Sequence, residues 1–149
     1  MRSFDALTAA LLQERLAGTC APDDPVDVVM PAGSERWPDF VRERITRTLQ
    51  PAGVLIPVME RVAGLSVLLT QRSAELKHHA GQVSFPGGRM EEHDRDIVHA
   101  ALRETHEEVG IPPEAITVVG YLPPMPTITG YAVTPVVGLV ADDVALQID

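Results

Sequence analysis

The amino-acid sequence predicts an α/β domain. Three observations carry that prediction: leucines at helical spacing near the N-terminus, short runs of branched apolar residues beginning at Gly53, and one sharply punctuated helix between two sets of such runs. The first helical pattern is Phe4, Leu7, Leu11, Leu12 and Leu16. A second, built on Trp37, Phe40, Val41 and Ile45, is expected to end before Pro51, because the residue preceding a proline is pushed out of the helical region. Both read as packing elements of a helical extension over residues 1–50. Of the 13 prolines, nine fall in two clusters, Pro22 to Pro38 and Pro112 to Pro126, which mark loops.

From Gly53 onward, Val54 to Val58 and Leu65 to Leu69, separated by Arg61-Val62-Ala63-Gly64, predict a hairpin. Gln82 to Phe85 reads as a short strand cut off by Pro86-Gly87-Gly88, since proline donates no ladder hydrogen bond and glycine lets the chain turn. A helix follows, with Asp94 as its expected N-cap, Asp96 in its first turn, and Gly110 with Pro112-Pro113 at its end. Strands near Ile116 to Tyr121 and Tyr131 to Val140 complete the pattern, joined by the stiff Leu122-Pro123-Pro124-Met125-Pro126 connection. One domain over 1–149, with its core at 51–140, is the expected organisation.

The formal charge of −9 argues against a partner held by broad neutralisation of nucleic-acid phosphates, which needs a basic face. An anionic small molecule remains admissible if a divalent cation or a few local Arg and Lys stand between two negative partners. No apolar run approaches the ~18–20 residues of a membrane span, and Ala6 to Leu12 matches a signal peptide poorly, so no membrane partner is expected. The single Cys20 points to a reducing compartment and hence to the cytoplasm.

The punctuated helix carries the chemistry. Ile97, Val98, Ala101, Leu102, Thr105 and Val109 form a stripe about 140° wide, predicted to face the core. Glu104, Glu107 and Glu108 fall within about 100° of arc at the edge of that stripe and are expected to converge on one site. A solvated acidic face would read the same from charge alone. The location favours a site, because the glycine pair before the helix lets backbone carbonyls approach a cation where a Cβ would block them. Oxygen donors without Cys or His imply Mg²⁺ or Mn²⁺ rather than zinc.

The string GGRMEEHDRDIVHAALRETHEEVGI, Gly87 to Ile111, resembles the Nudix box: Gly, five residues, Glu, seven residues, Arg-Glu, an apolar residue, any residue, Glu-Glu, any residue, Gly and an apolar residue. Gly88, Arg103-Glu104, Glu107-Glu108, Gly110 and Ile111 match it. Two positions depart: the first acid is Asp94 rather than Glu, and eight residues rather than seven precede Arg103. Both departures are common in the coenzyme A diphosphatase branch of Nudix hydrolases. The preceding string LLTQRSAELKHHAGQVSFPGG, Leu68 to Gly88, is similar to that branch's signature.

The resemblance implies a Nudix fold, a mixed β-sheet sandwiched between α-helices. It further implies that Gly87 or Gly88 lends a carbonyl oxygen to Mg²⁺ or Mn²⁺, that Glu107 and Glu108 ligate the metal, and that Glu104 is a further ligand or positions the water. Arg103 is the expected orienting residue, holding the carboxylates by charge-assisted hydrogen bonds. The implied reaction is in-line attack of a metal-acidified water on the diphosphate of coenzyme A, giving 3′,5′-ADP and 4′-phosphopantetheine. Arg72 and Lys77, in a cationic cluster with His78 and His79, are expected to meet the substrate's phosphates, while Met125 and Tyr131 either line a pantetheine pocket or pack in the core.

Two alternatives stand beside this reading: a Nudix hydrolase of another nucleoside diphosphate derivative such as ADP-ribose, and a non-catalytic binding module of the same fold. The presence of all three box glutamates on the helix argues against the second. Phosphate-loop, dinucleotide-fingerprint and nucleophile-elbow motifs are absent, and His106-Glu107 lacks the second His of a zinc-protease helix. Members of the family usually continue past the strand ending near Val140 with more sheet and a packing helix. The C-terminal part of the fold is therefore expected to be missing, through truncation, as a short gene product, or as half of an intertwined homodimer.

Overall fold

A computed structural model describes residues 7–71 and 81–147. In chain order the elements are α1 (Ala9–Leu16), a 3₁₀ turn (Ser34–Arg36), α2 (Asp39–Thr46), β1 (Gln50–Arg61), β2 (Gly64–Val67), β3 (Thr70–Gln71), β4 (Val83–Ser84), β5 (Gly87–Arg89), α3 (Ile97–Val109), a 3₁₀ turn (Pro113–Ala115), β6 (Ile116–Tyr121), β7 (Met125–Pro126) and β8 (Tyr131–Val140).

The long strand β1 organises the sheet. It runs parallel to β8 from Gln50↔Tyr131 to Met59↔Val140 and antiparallel to β2, and β6 lies antiparallel to β8. The sheet is therefore mixed, in the order β2-β1-β8-β6. Because side chains alternate along a strand, Leu55 and Met59 point one way and Val58 the other. The first face packs Leu55, Met59, Val136 and Val140 against Ala101 and Val109 of α3. On the second face, Val58 and Val137 meet Leu16 of α1. The sheet thus lies between helices, as the resemblance implies; α3 forms where its apolar spacing places it, whereas α1 begins only at Ala9, leaving Leu7 exposed ahead of it, and Phe4 lies outside the described residues.

Several local expectations are corrected. The glycine pair is not a free turn: Gly87 and Gly88 form rungs of β5, paired with Val54 and Gly53 of β1. Satisfied backbone groups on both strands make this arrangement better than an open loop. The preceding Val83–Ser84 pairs instead with Thr70–Gln71 in a separate two-stranded sheet. The helix α2 buries Ile45 but leaves Phe40 72% exposed, so its apolar pattern overstates its packing. Met125 is 48% exposed on the short edge strand β7 and is no core residue.

Gly53 sets the depth at which α3 rests on the sheet. A Cβ there would stand 3.0 Å from the Ala101 backbone nitrogen and 3.1 Å from its Cβ, so only a glycine lets the helix lie directly on the strand. That close approach holds the acidic edge of α3 against β5.

Candidate active site

The first turn of α3 is capped by Asp96, whose carboxylate accepts from the His99 amide at 2.7 Å, and the helix ends at Gly110. The expected N-cap, Asp94, has another task. Its side chain is fully enclosed, and its oxygens accept from the Glu91 amide (2.8 Å), from Arg103 Nε (3.0 Å) and Nη2 (2.9 Å), and lie 3.0 Å from His99 Nδ1. A buried carboxylate must find donors, and a bidentate guanidinium is the strongest available. That attraction draws Asp94 inward and leaves capping to the exposed Asp96.

Arg103 joins the two ends of the box. Beyond Asp94, its Nη2 donates to the Arg89 carbonyl at 3.2 Å, while Nη1 donates to Glu104 Oε1 at 2.9 Å and to both Glu107 oxygens at 3.4 Å. The guanidinium holds the Asp94 carboxyl down at about 2 against an ordinary 3.8, outweighing the burial that pushes it up. Hydrogen bonding to Asp94 raises Arg103 well above its usual range, so the arginine is permanently charged.

Glu104 lies against the main chain of β5. A Cβ at Gly88 would stand 2.5 Å from the Glu104 carboxyl carbon and 2.7 Å from each of its oxygens. The glycine thus leaves the room in which a carboxylate and a backbone strand lie side by side. Gly88→Ala is expected to fold with less than about 1 kcal/mol lost, because the displaced group is the free end of a flexible side chain. Its activity should fall about tenfold or more as the Glu104 carboxylate is pushed aside. Parallel thermal melts and turnover assays check this; full activity would show that the juxtaposition is idle.

The structure brings Gly88, Arg103, Glu104 and Glu107 together, with Gly87 on the same strand. Glu108 lies on the exposed surface one residue further along α3. Arg72, Lys77, His78 and His79 lie outside the described residues. Among the described residues, no three His, Cys, Asp or Glu side chains gather closely enough to hold a metal by themselves. Arg103 draws Glu104 and Glu107 together on one side of α3. The donors suit a hard cation nonetheless, since Mg²⁺ takes one or two carboxylates and completes its shell with water and substrate phosphate. Sequence reasoning missed the contact of His99 with Asp94.

A helix bearing carboxylates, laid on a mixed sheet and pinned through its arginine to a glycine strand, defines a recognisable class. The chain belongs to the NUDIX domain family, whose profile matches residues 49–143. It is 55% identical over 95 residues to a Citrobacter koseri protein named uncharacterized Nudix hydrolase NudL, covering 64% of this chain and 49% of that protein. A protein of the same name from Escherichia coli O139:H28 is 50% identical over 106 residues, covering 71% and 54%. The chain thus spans about half the length of the curated relatives it matches. Among solved structures, it is similar to the Nudix hydrolase RenU of M. smegmatis, with TM-score 0.50, 25% identity, and 66% and 63% of the two chains covered. Similarity to an Ap4A hydrolase of C. elegans in a binary complex, with TM-score 0.54 at 22% identity and 66% and 71% covered, concerns the fold.

Proposed function

We propose that the chain is a metal-dependent diphosphohydrolase that splits the diphosphate of coenzyme A or its derivatives into 3′,5′-ADP and 4′-phosphopantetheine. One observation carries the hydrolytic part of this reading: the Arg103-centred cluster, in which a permanent cation grips Asp94, Glu104 and Glu107 beside Gly88. The coenzyme A assignment is supported by the signature string Leu68 to Gly88.

In this reading Glu107 and Glu108, with the carbonyl of Gly87 or Gly88, hold Mg²⁺ or Mn²⁺, and Glu104 completes the set or positions the attacking water. A bound divalent cation supplies the positive charge that a −9 protein lacks toward a diphosphate, and it acidifies water. Arg103 acts by orientation, keeping Glu104 and Glu107 on one side of the helix. Arg72 and Lys77 meet substrate phosphates. Hydrolysis adds one water across the anhydride: its oxygen bonds to one phosphorus as the bond from that phosphorus to the bridging oxygen breaks, leaving two phosphate monoesters. Among the described residues no helix is long and apolar enough to cross a membrane, and a cytoplasmic setting belongs to the same proposal.

Incubation of the purified chain with coenzyme A and Mg²⁺ or Mn²⁺, followed by mass identification of products, tests the reading. Both monoesters are expected. Cleavage of ADP-ribose with coenzyme A left intact would move the assignment to another nucleoside diphosphate derivative. Failure to cleave any diphosphate of a substrate panel would leave a binding module.

A further inference from the structure

We propose that the segment following β8, residues 141–147, is a positioning strap for the metal-holding carboxylates, seated on the C-terminal end of α3 so as to fix the turn that carries Glu107 and Glu108; the inference rests on the diphosphohydrolase reading. A helix leaves its last four carbonyls without intrahelical partners. At the end of α3 the Gly110 amide donates to the His106 carbonyl at 2.9 Å, and the Gln147 amide donates to the Val109 carbonyl at 3.0 Å. The second bond is tertiary. It ties the final carbonyl of the helix to a part of the chain that lies beyond the whole sheet.

The segment is held along its length. Ala141 donates its amide to the Ala115 carbonyl at 2.9 Å, Val144 packs against the core cluster that contains Val109, Ile111, Ile116 and Val140, and Gln147 closes on α3. Gly110 supplies the seat. Its φ of +74° makes the left-handed helix cap, and a Cβ there would stand 2.7 Å from Gln147 Cβ and 3.1 Å from the Gln147 backbone nitrogen. The glycine of the box therefore ends the helix and also lets residue 147 lie directly on that end. Glu107 depends on such support, because its carboxylate is 58% exposed and meets Arg103 only at 3.4 Å. The backbone beneath it sets its place. Helix ends without tertiary contacts open most readily, and a ligand on an opening turn gives a metal no fixed geometry.

The test uses the ¹⁵N-labelled chain. Its readouts are hydrogen exchange of the Gly110 amide, broadening of the Glu107 and Glu108 amide signals by Mn²⁺, and coenzyme A turnover as a function of Mg²⁺ concentration. Gln147→Pro removes the one donor to Val109. It is expected to speed Gly110 exchange and to raise the half-effect concentrations of Mn²⁺ and Mg²⁺ about tenfold, as loss of an outer support of a metal site does, with kcat at saturating Mg²⁺ unchanged. Gln147→Ala keeps the amide and should match the unsubstituted chain. Val144→Ala, which loosens the same segment from the core, should shift metal affinity in the direction of Gln147→Pro. Unchanged metal affinity in both Gln147→Pro and Val144→Ala would overturn the proposal whatever their melting temperatures, as would equal losses in Gln147→Pro and Gln147→Ala. A chain that binds Mn²⁺ but cleaves no diphosphate would remove the hydrolase reading alone, and the Mn²⁺ comparison would still decide the role of the segment. Absence of Mn²⁺ broadening at Glu107 and Glu108 in the unsubstituted chain would overturn both.

Discussion

Glu107→Gln is expected to lower Mg²⁺-dependent turnover by about a thousandfold, equivalent to about 4 kcal/mol of barrier, with no change in the circular dichroism spectrum. The substitution keeps the shape and removes the charge that a divalent cation requires. Folding does not depend on that charge. The Glu107 side chain is 58% exposed, and its contact with Arg103 is a 3.4 Å ion pair between residues four apart on a helix surface. Such exposed pairs contribute about 0–1 kcal/mol at most. The comparison separates chemistry from stability at this residue, because the group that would hold the metal is more than half exposed and bound to the rest of the protein only through long contacts with Arg103. Turnover equal to that of the unsubstituted chain would remove Glu107 from the site.

Asp94 should behave in the opposite way, with the larger effect on stability. Asp94→Ala leaves the Arg103 guanidinium, 16% exposed, without its principal partner, and breaking a buried pair from one side costs about 3–5 kcal/mol. The lower end applies, because Arg103 keeps Glu104 and the Arg89 carbonyl. The depression of the Asp94 carboxyl from 3.8 to about 2 leads to a compatible figure of about 2 kcal/mol at neutral pH. Since the folded value lies below the unfolded one, this stabilisation is complete above about pH 4 and is lost as the pH falls from there toward about 2. Urea midpoints of the unsubstituted chain and of Asp94→Asn should therefore converge on going from pH 7 to pH 3. Parallel acid limbs would show that the carboxylate is not held by Arg103 in solution.

Much of the site was legible without coordinates because a helix converts sequence spacing directly into spatial position. Arg103, Glu104 and Glu107 lie within one turn and a half of α3, so their mutual reach follows from helical geometry alone. The boundary signals at Gly110 and Pro112 ended the helix where the structure ends it, and the strands Ile116–Tyr121 and Tyr131–Val140 stand where the branched apolar runs predicted. The N-cap was misassigned for a reason the spacing could not reveal. Asp94 and Asp96 are equally good capping residues, and only the burial of one beside Arg103 frees the other for the cap. The glycine pair was likewise read as a turn because glycine favours turns, whereas pairing of β5 with β1 is a contact across more than thirty residues of chain.

By itself, the order of residues determined the central helix, the long strands and the family, since each of these depends on periodicities and spacings within about two dozen neighbouring positions. Tertiary structure alone decided which acid is buried, which glycine lies under a carboxylate, and that β1 and β8 run parallel. Those outcomes depend on long-range contacts and on which charges lose their water, and no local pattern encodes the competition among donors for a single enclosed carboxylate.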